Sequence, residues 1–105
     1  MMRIKLDKYF MEPVLCKRKV AFTLLEDNGL RRGDDFVLAF DGVRGRGYKC
    51  VVDDVVSCRV DDVDFFMARA EGYVHRDLYL HALDSSVVGG LSGRSVLFQV
   101  YFKII

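Results

Sequence analysis

The sequence contains one proline, no tryptophan and no apolar run near the ~20 residues that span a bilayer. Its longest apolar stretches are short, such as Phe36–Phe40 and Val96–Phe98. No membrane partner is therefore expected. The start, Met1-Met2-Arg3-Ile4-Lys5, lacks an apolar signal core, so no secretion signal is expected. The three cysteines, Cys16, Cys50 and Cys58, show no C-x-x-C spacing. An odd count cannot be fully paired within one chain. His75 and His81 lie six apart, off both the i,i+3 and i,i+4 faces of a helix. No metal and no cofactor is expected, and the thiols read as small buried hydrophobes in a reducing, cytoplasmic setting. The glycines form neither G-x-G-x-x-G nor a P-loop, so no nucleotide fingerprint is met.

What is present is a balanced chain. It has 105 residues, 51% hydrophobic and 30% charged, which excludes a disordered or collagen-like polymer. That length suits one domain, 1–105, with one real core. The net charge is only +1 but is unevenly spread. Residues 1–32 hold eight Lys/Arg against four Asp/Glu, residues 33–60 four against five, and residues 61–105 four against six. A locally basic face on a near-neutral domain fits a modest anionic ligand better than a long duplex.

Gly and Asp punctuate the chain at Asp27-Asn28-Gly29, Arg32-Gly33-Asp34, Gly42 to Gly47, Gly72 and Gly89 to Gly93. Glu12-Pro13-Val14-Leu15 predicts a short helical turn, because Pro fits the first turn. Lys19–Leu25 and Asp35–Asp41 read as strands, and Val43–Gly47 as a hairpin connection. Tyr48–Val60 is a long β-rich run with a bend or bulge at Asp53-Asp54. Val63, Phe66, Met67 and Ala70 then fall at i, i+3, i+4 and i+7, an apolar helical stripe. Asp61, Asp62 and Asp64 complement its dipole, and Gly72 suits the left-handed position after its end. A second helix is expected over Val74–Leu83, and Ser95–Ile105 closes the chain as a strand. The fold class is α+β: an antiparallel, curved sheet, a small open barrel with two helices.

These residues resemble a known family. Arg32-Gly33-Asp34 enters a strand, Gly47-Tyr48-Lys49-Cys50 enters the next, and Ala68-Arg69-Ala70-Glu71-Gly72-Tyr73 ends a helix. This order resembles the ASCH domains, relatives of the PUA-like RNA-binding barrels. From about Leu6 to Ile105 the chain is similar to their short members, the N4-acetylcytidine amidohydrolases. The resemblance implies an open β-barrel with helices at its mouth and a cleft for a nucleobase or an RNA segment. It also implies chemistry from a Lys, a Thr three residues later and a Glu on the helix. Lys19 matches the Lys and Glu71 the Glu. The Thr position falls on Phe22, and the nearest hydroxyl, Thr23, comes one residue later.

Amide hydrolysis needs a nucleophile, a base to take its proton and a donor for the oxyanion. Thr23 is a poor nucleophile without a base in reach. Lys19 serves as a base only if its pKa is lowered by burial or by cations such as Lys17, Arg18, Arg31 and Arg32. Strand alternation puts Lys19 and Thr23 on one face, but four extended residues separate their Cα atoms by ~13 Å. Lys19 must then lie in a turn before the strand, or the strand must bend. Glu71 sits in the last turn of its helix, where the dipole disfavours a carboxylate; that suits a partner, a ligand or proton transfer, and equally a plain exposed Glu, because the penalty is only ~0.3–1 kcal/mol. Arg44 and Arg46, spaced by glycines and ending at Tyr48, offer guanidinium–phosphate pairing and base stacking, and equally suit a plain hairpin turn. Arg18 and Tyr73 complete the expected substrate-binding set. Phe65-Phe66-Met67 reads as core by its spacing, with only Phe65 off the stripe.

The functional expectation is an RNA- or pyrimidine-nucleoside-binding domain that hydrolyses an acylated base such as N4-acetylcytidine. Its catalytic groups are Lys19, Thr23 and Glu71, and its partner is RNA or a modified nucleoside. The alternatives are a non-catalytic RNA-binding module and a metal-independent ribonuclease.

Overall fold

A computed structural model describes residues 1–105. Eight main elements follow one another: β1 (Met2–Leu6), α1 (Met11–Leu15), β2 (Ala21–Leu24), β3 (Asp35–Phe40), β4 (Tyr48–Arg59), α2 (Phe65–Ala70), α3 (Arg76–Ser85) and β5 (Val96–Ile104). Single 3-10 turns at Lys8–Phe10 and Val60–Asp62 lead into α1 and α2. The strands form one sheet in the order β1-β3-β4-β5-β2. The two edges, β1 and β2, do not pair, so the barrel is open. The fold is α+β, as the sequence implies.

Alternation along β5 explains how one sheet supports two cores. Val100 and Phe102 face inward, where rings of Phe22, Phe36 and Phe102 meet at centroid distances of 5.5–5.9 Å. α1 closes this side with Val14. Leu97 faces the other way, into a smaller cluster with Val63, Met67, Ala68 and Tyr79, where α2 and α3 cover one end of the outer face. Gln99 and Tyr101 share that outer parity. The expected irregularity at Asp53-Asp54 is a register shift: Val52 pairs with Phe102, but Asp54 pairs with Tyr101. The extra residue lets Val52 and Val55 both pack on the inner core.

Four expectations need correction. The sheet is mixed, because β1 pairs parallel to β3; alternation in Arg3-Ile4-Lys5-Leu6 supplies an extra edge strand. The strand read from Lys19 begins only at Ala21. Phe66 is 77% exposed and Phe65 45%, not core. The physical reason is phase: Val63 lies before the helix in extended backbone, and α2 starts only after the Asp64 cap. The buried helical positions are Met67 and Ala68, and Glu71 one turn on. Finally, Cys16 is exposed, whereas Cys50 is buried; the chain leaves α1 at that point, with Cys16 as its cap.

Candidate active site

Lys19 reaches its place through a tight exit from α1. Lys17 takes a left-handed backbone with φ 64°, and the amides of Arg18 and Lys19 both donate to the Pro13 carbonyl at 2.9 Å. The next amide, Val20, donates to the carbonyl of Ala70 at 2.8 Å and fixes this segment to the end of α2. Lys19 thus precedes β2 in a turn, which removes the 13 Å difficulty of a straight strand. On the other side, α2 ends at Glu71, and Gly72 turns away with φ 94°. A Cβ on Gly72 would lie 3.4 Å from the Cβ of Lys19, so the two segments touch there.

The side chains from these segments converge. Lys19 Nζ donates to Glu71 Oε1 and to the Glu71 carbonyl, each at 3.1 Å. Both side chains are almost fully buried, at 3% and 4% exposure. Lys19 Nζ also stands 4.6 Å from the centre of the Phe10 ring, a cation–π contact. Thr23 Oγ1 donates to Glu71 Oε2 at 2.8 Å, and Gln99 Nε2 donates to the same oxygen at 3.0 Å and to the Met67 carbonyl at 3.0 Å. Tyr79 OH lies 2.5 Å from Thr23 Oγ1. Because Thr23 gives its hydrogen to Glu71, Tyr79 is the donor in that contact. All partners of the Glu71 carboxylate are therefore donors, which answers why a carboxylate occupies a helix C-terminus against the dipole.

Burial pulls the Lys19 ammonium below the ordinary lysine range, and the Glu71 carboxylate opposes that shift in part. The surrounding cations invoked from sequence do not cause it. Arg18 pairs with Glu12 and the Cys16 sulfur, and Arg31 with Asp27. The Tyr79 phenol is pushed up by burial and then by the Glu71 charge, so it stays a donor. The Tyr101 phenol is raised by burial first and the Glu71 charge second, which sets it in the same field.

A groove of about 860 Å³ opens beside this network. Lys19 and Tyr101 belong to its wall, with Lys17, Val56, Asp54 and Lys103. Of the three candidates only Lys19 lines the groove; Thr23 is half-buried and Glu71 buried behind it.

The structure brings together Lys19, Thr23 and Glu71 and does not bring in the rest. Tyr73 is adjacent, tilted against Tyr79 with ring centroids 5.6 Å apart. Arg18 points to Glu12 and solvent. Arg44, Arg46 and Tyr48 line a separate hollow with Met11 and Phe40, because the β3–β4 hairpin that carries them makes none of the network's contacts. Gln99, Tyr79, Tyr101 and Phe10 escaped the sequence reading. Gln99 did leave a signal, as the lone polar residue in the apolar run Val96–Phe102.

Topology and site can now be set beside known structures. No family model matches the sequence, and no curated protein matches it. Solved structures do. An ASCH domain from Lactobacillus crispatus JV V101 superposes with a TM-score of 0.67 at 17% identity, covering 98% of this chain and 79% of that one. This chain has the ASCH fold. A mutant of ZmASCH from Zymomonas mobilis gives 0.65 at 11% identity, over 96% of this chain and 67% of that one. Protein EF3133 from Enterococcus faecalis V583, of the DUF984 family, gives 0.66 at 14% identity over 90% and 68%. The likeness lies in the path of the chain, with few shared residues, so the ASCH fold by itself assigns no chemistry to Lys19, Thr23 or Glu71.

Proposed function

We propose that this ASCH-fold protein binds a pyrimidine nucleoside, free or within RNA, and hydrolyses an acylated exocyclic amine such as that of N4-acetylcytidine. One observation carries the reading: Lys19, Thr23 and Glu71, up to 52 residues apart in sequence, share one buried hydrogen-bond network beside an open groove. A hydroxyl, a carboxylate and an ammonium in contact are the parts of an activated nucleophile.

In this reading the base lies in the groove with its acyl group at Thr23. Thr23 Oγ1 attacks the acetyl carbon, and its proton passes to Glu71 Oε2. The C–N bond breaks, and that proton goes to the departing amine, giving cytidine and an acetyl ester on Thr23. Water, deprotonated by the same carboxylate, attacks the ester carbon; the acyl C–Oγ1 bond breaks, Glu71 returns the proton to Thr23 Oγ1, and acetic acid leaves and ionises to acetate. Lys19 fixes the rotamer of Glu71 and balances its charge in a site from which water is largely excluded. Tyr79 holds the Thr23 oxygen from the opposite side. Glu71, and not Lys19, is the group within reach of the Thr23 proton.

Incubation with N4-acetylcytidine, followed by mass spectrometry for cytidine, tests this. The wild type releases cytidine, and Thr23→Val and Glu71→Gln do not. Absence of turnover combined with salt-sensitive RNA binding points to a binding module. Chelator-insensitive shortening of RNA points to a ribonuclease.

A further inference from the structure

The network leaves one sequence feature unused, the segment Arg44-Gly45-Arg46-Gly47-Tyr48. It forms the connection between β3 and β4, with glycines at positive φ of 133° and 80° inside it. The amides of Arg44, Gly45, Arg46 and Gly47 make no backbone hydrogen bond within the protein. Beneath the hairpin lies a hollow of about 280 Å³ whose floor includes Met11, Phe40 and Tyr48. Arg3, from β1, donates Nη1 to the Arg46 carbonyl at 3.4 Å and so stands against the same loop. Strand register adds a fourth cation. Arg3 pairs with Val37 and Val37 with Lys49, which places Arg3 and Lys49 on one outer row, two strands or about 10 Å apart.

The six ion pairs of the molecule leave these four cations out, as they do Lys8, Lys17, Arg32, Arg59, Arg69 and Arg94, but only these four gather at one hairpin. Arg3, Arg44, Arg46 and Lys49 have no carboxylate within 4.0 Å, although the chain as a whole is nearly neutral. Lys5, beside them on β1, is held by Asp41 at 3.8 Å. Arg44 and Arg46 line this hollow beside amides that have no backbone partner, and guanidinium and amide N–H groups are the donors that a tetrahedral oxyanion takes. Close packing also demands this backbone. A Cβ on Gly47 would sit 2.6 Å from the Leu38 carbonyl oxygen, so the sharp entry into β4 requires glycine.

We infer that the β3–β4 hairpin is a second ligand site, taking the phosphate group of a nucleotide or of an RNA strand, with Arg44 and Arg46 as its forks and Arg3 and Lys49 extending it. The site is separate from the Lys19–Glu71 network and does not depend on hydrolysis there. Tyr48, half-buried and edge-on to Phe40 at 6.2 Å, supplies the apolar floor against which the attached sugar or base rests.

Equilibrium binding to labelled cytidine, cytidine 5′-monophosphate and an eight-residue oligocytidylate, across a salt series, tests the inference. The folded wild type binds the phosphorylated probes and binds cytidine more weakly. Arg44→Gln with Arg46→Gln lowers affinity for the phosphorylated probes about ten-fold or more and makes the salt dependence shallower by about one unit per lost phosphate contact. Arg59→Gln with Arg94→Gln, remote in the fold and equal in charge, leaves that binding in place. A preference for the oligomer over the monophosphate assigns the phosphate to an RNA strand, and equal affinity assigns it to a free nucleotide. Equal losses in the two double variants, undiminished binding in the hairpin variant, or equal competition by anionic vesicles or polyglutamate would each overturn it.

Discussion

At the residue scale, the ion pair of Lys19 and Glu71 bears on stability and, in the proposed reaction, on chemistry. Each charge is sealed from water and neutralised by the other. Removing one leaves the other buried and unpaired, at a cost of about 3–5 kcal/mol. Lys19→Met and Glu71→Gln should therefore each lower the denaturation midpoint sharply, while the double variant recovers much of the loss. Thr23→Val keeps the shape of the side chain, and its cost should stay near 1 kcal/mol while activity disappears. Equal destabilisation by all three single variants would contradict this division of roles. Cysteine chemistry follows the same logic of surroundings. The exposed Cys16 thiol is lowered by the Arg18 hydrogen bond, whereas burial pushes Cys50 up to about 11. Alkylation followed by peptide mass mapping should label Cys16 first and Cys50 last, and Arg18→Gln should slow Cys16. Lys19 entered the sequence reading through the family resemblance, and Glu71 through that resemblance and its place against the helix dipole. Sequence did not identify Gln99 or Tyr79, which pass for an ordinary strand polar group and a core aromatic until the partner atoms are in place.

At the scale of elements, caps and turns make the site. Asp64 accepts the Met67 amide at 2.8 Å and starts α2 in the phase that turns Met67, Ala68 and Glu71 inward. Asp64→Ala should cost about 1 kcal/mol and loosen that helix, seen as faster amide exchange from Phe65 to Ala70. Unchanged exchange there would show that packing alone sets the helix. The apolar periodicity of this segment was legible, and its phase was not. Val63 is apolar and correctly spaced, yet it precedes the cap, so counting from it rotates the stripe and puts Phe66 inside. Counting from Met67 puts Glu71 inside instead. The strand from Lys19 shows a related limit: alternation continues through residues that the fold uses as a turn, and only the left-handed Lys17 and the two amide hydrogen bonds to the Pro13 carbonyl reveal where the strand begins. The bulge at Asp53-Asp54 was legible because strict alternation would turn one of two adjacent carboxylates into the core.

At the scale of the whole molecule, one sheet separates two apolar clusters, and the catalytic candidates sit where β5 contributes to both. No helix is long and apolar enough to cross a membrane. The inner cluster carries most of the packing, so Phe36→Ala should cost about 3–5 kcal/mol, measured by denaturant unfolding. Alkaline pH adds a second test. Folded Cys50 keeps its proton to about 11, and the unfolded thiol loses it near 9.0. Between those values the unfolded chain binds fewer protons, so stability falls as pH rises. Lys19 works in the opposite direction, since its lowered folded value lets the fold gain stability as pH climbs towards 10.5. Cys50→Val should make that fall shallower, leaving the smaller falling contribution of Cys58 and the phenols of Tyr73, Tyr79 and Tyr101 alongside the rising one of Lys19. The parallel β1 escaped the sequence reading because pairing between distant segments leaves no local mark beyond alternation. The most direct measurement of the central claim is the rate of cytidine release from N4-acetylcytidine by the wild type and by Thr23→Val, with both proteins shown to be folded. Steady release by the wild type and none by the variant is the predicted result; release undiminished in Thr23→Val, or none from either protein, would contradict it.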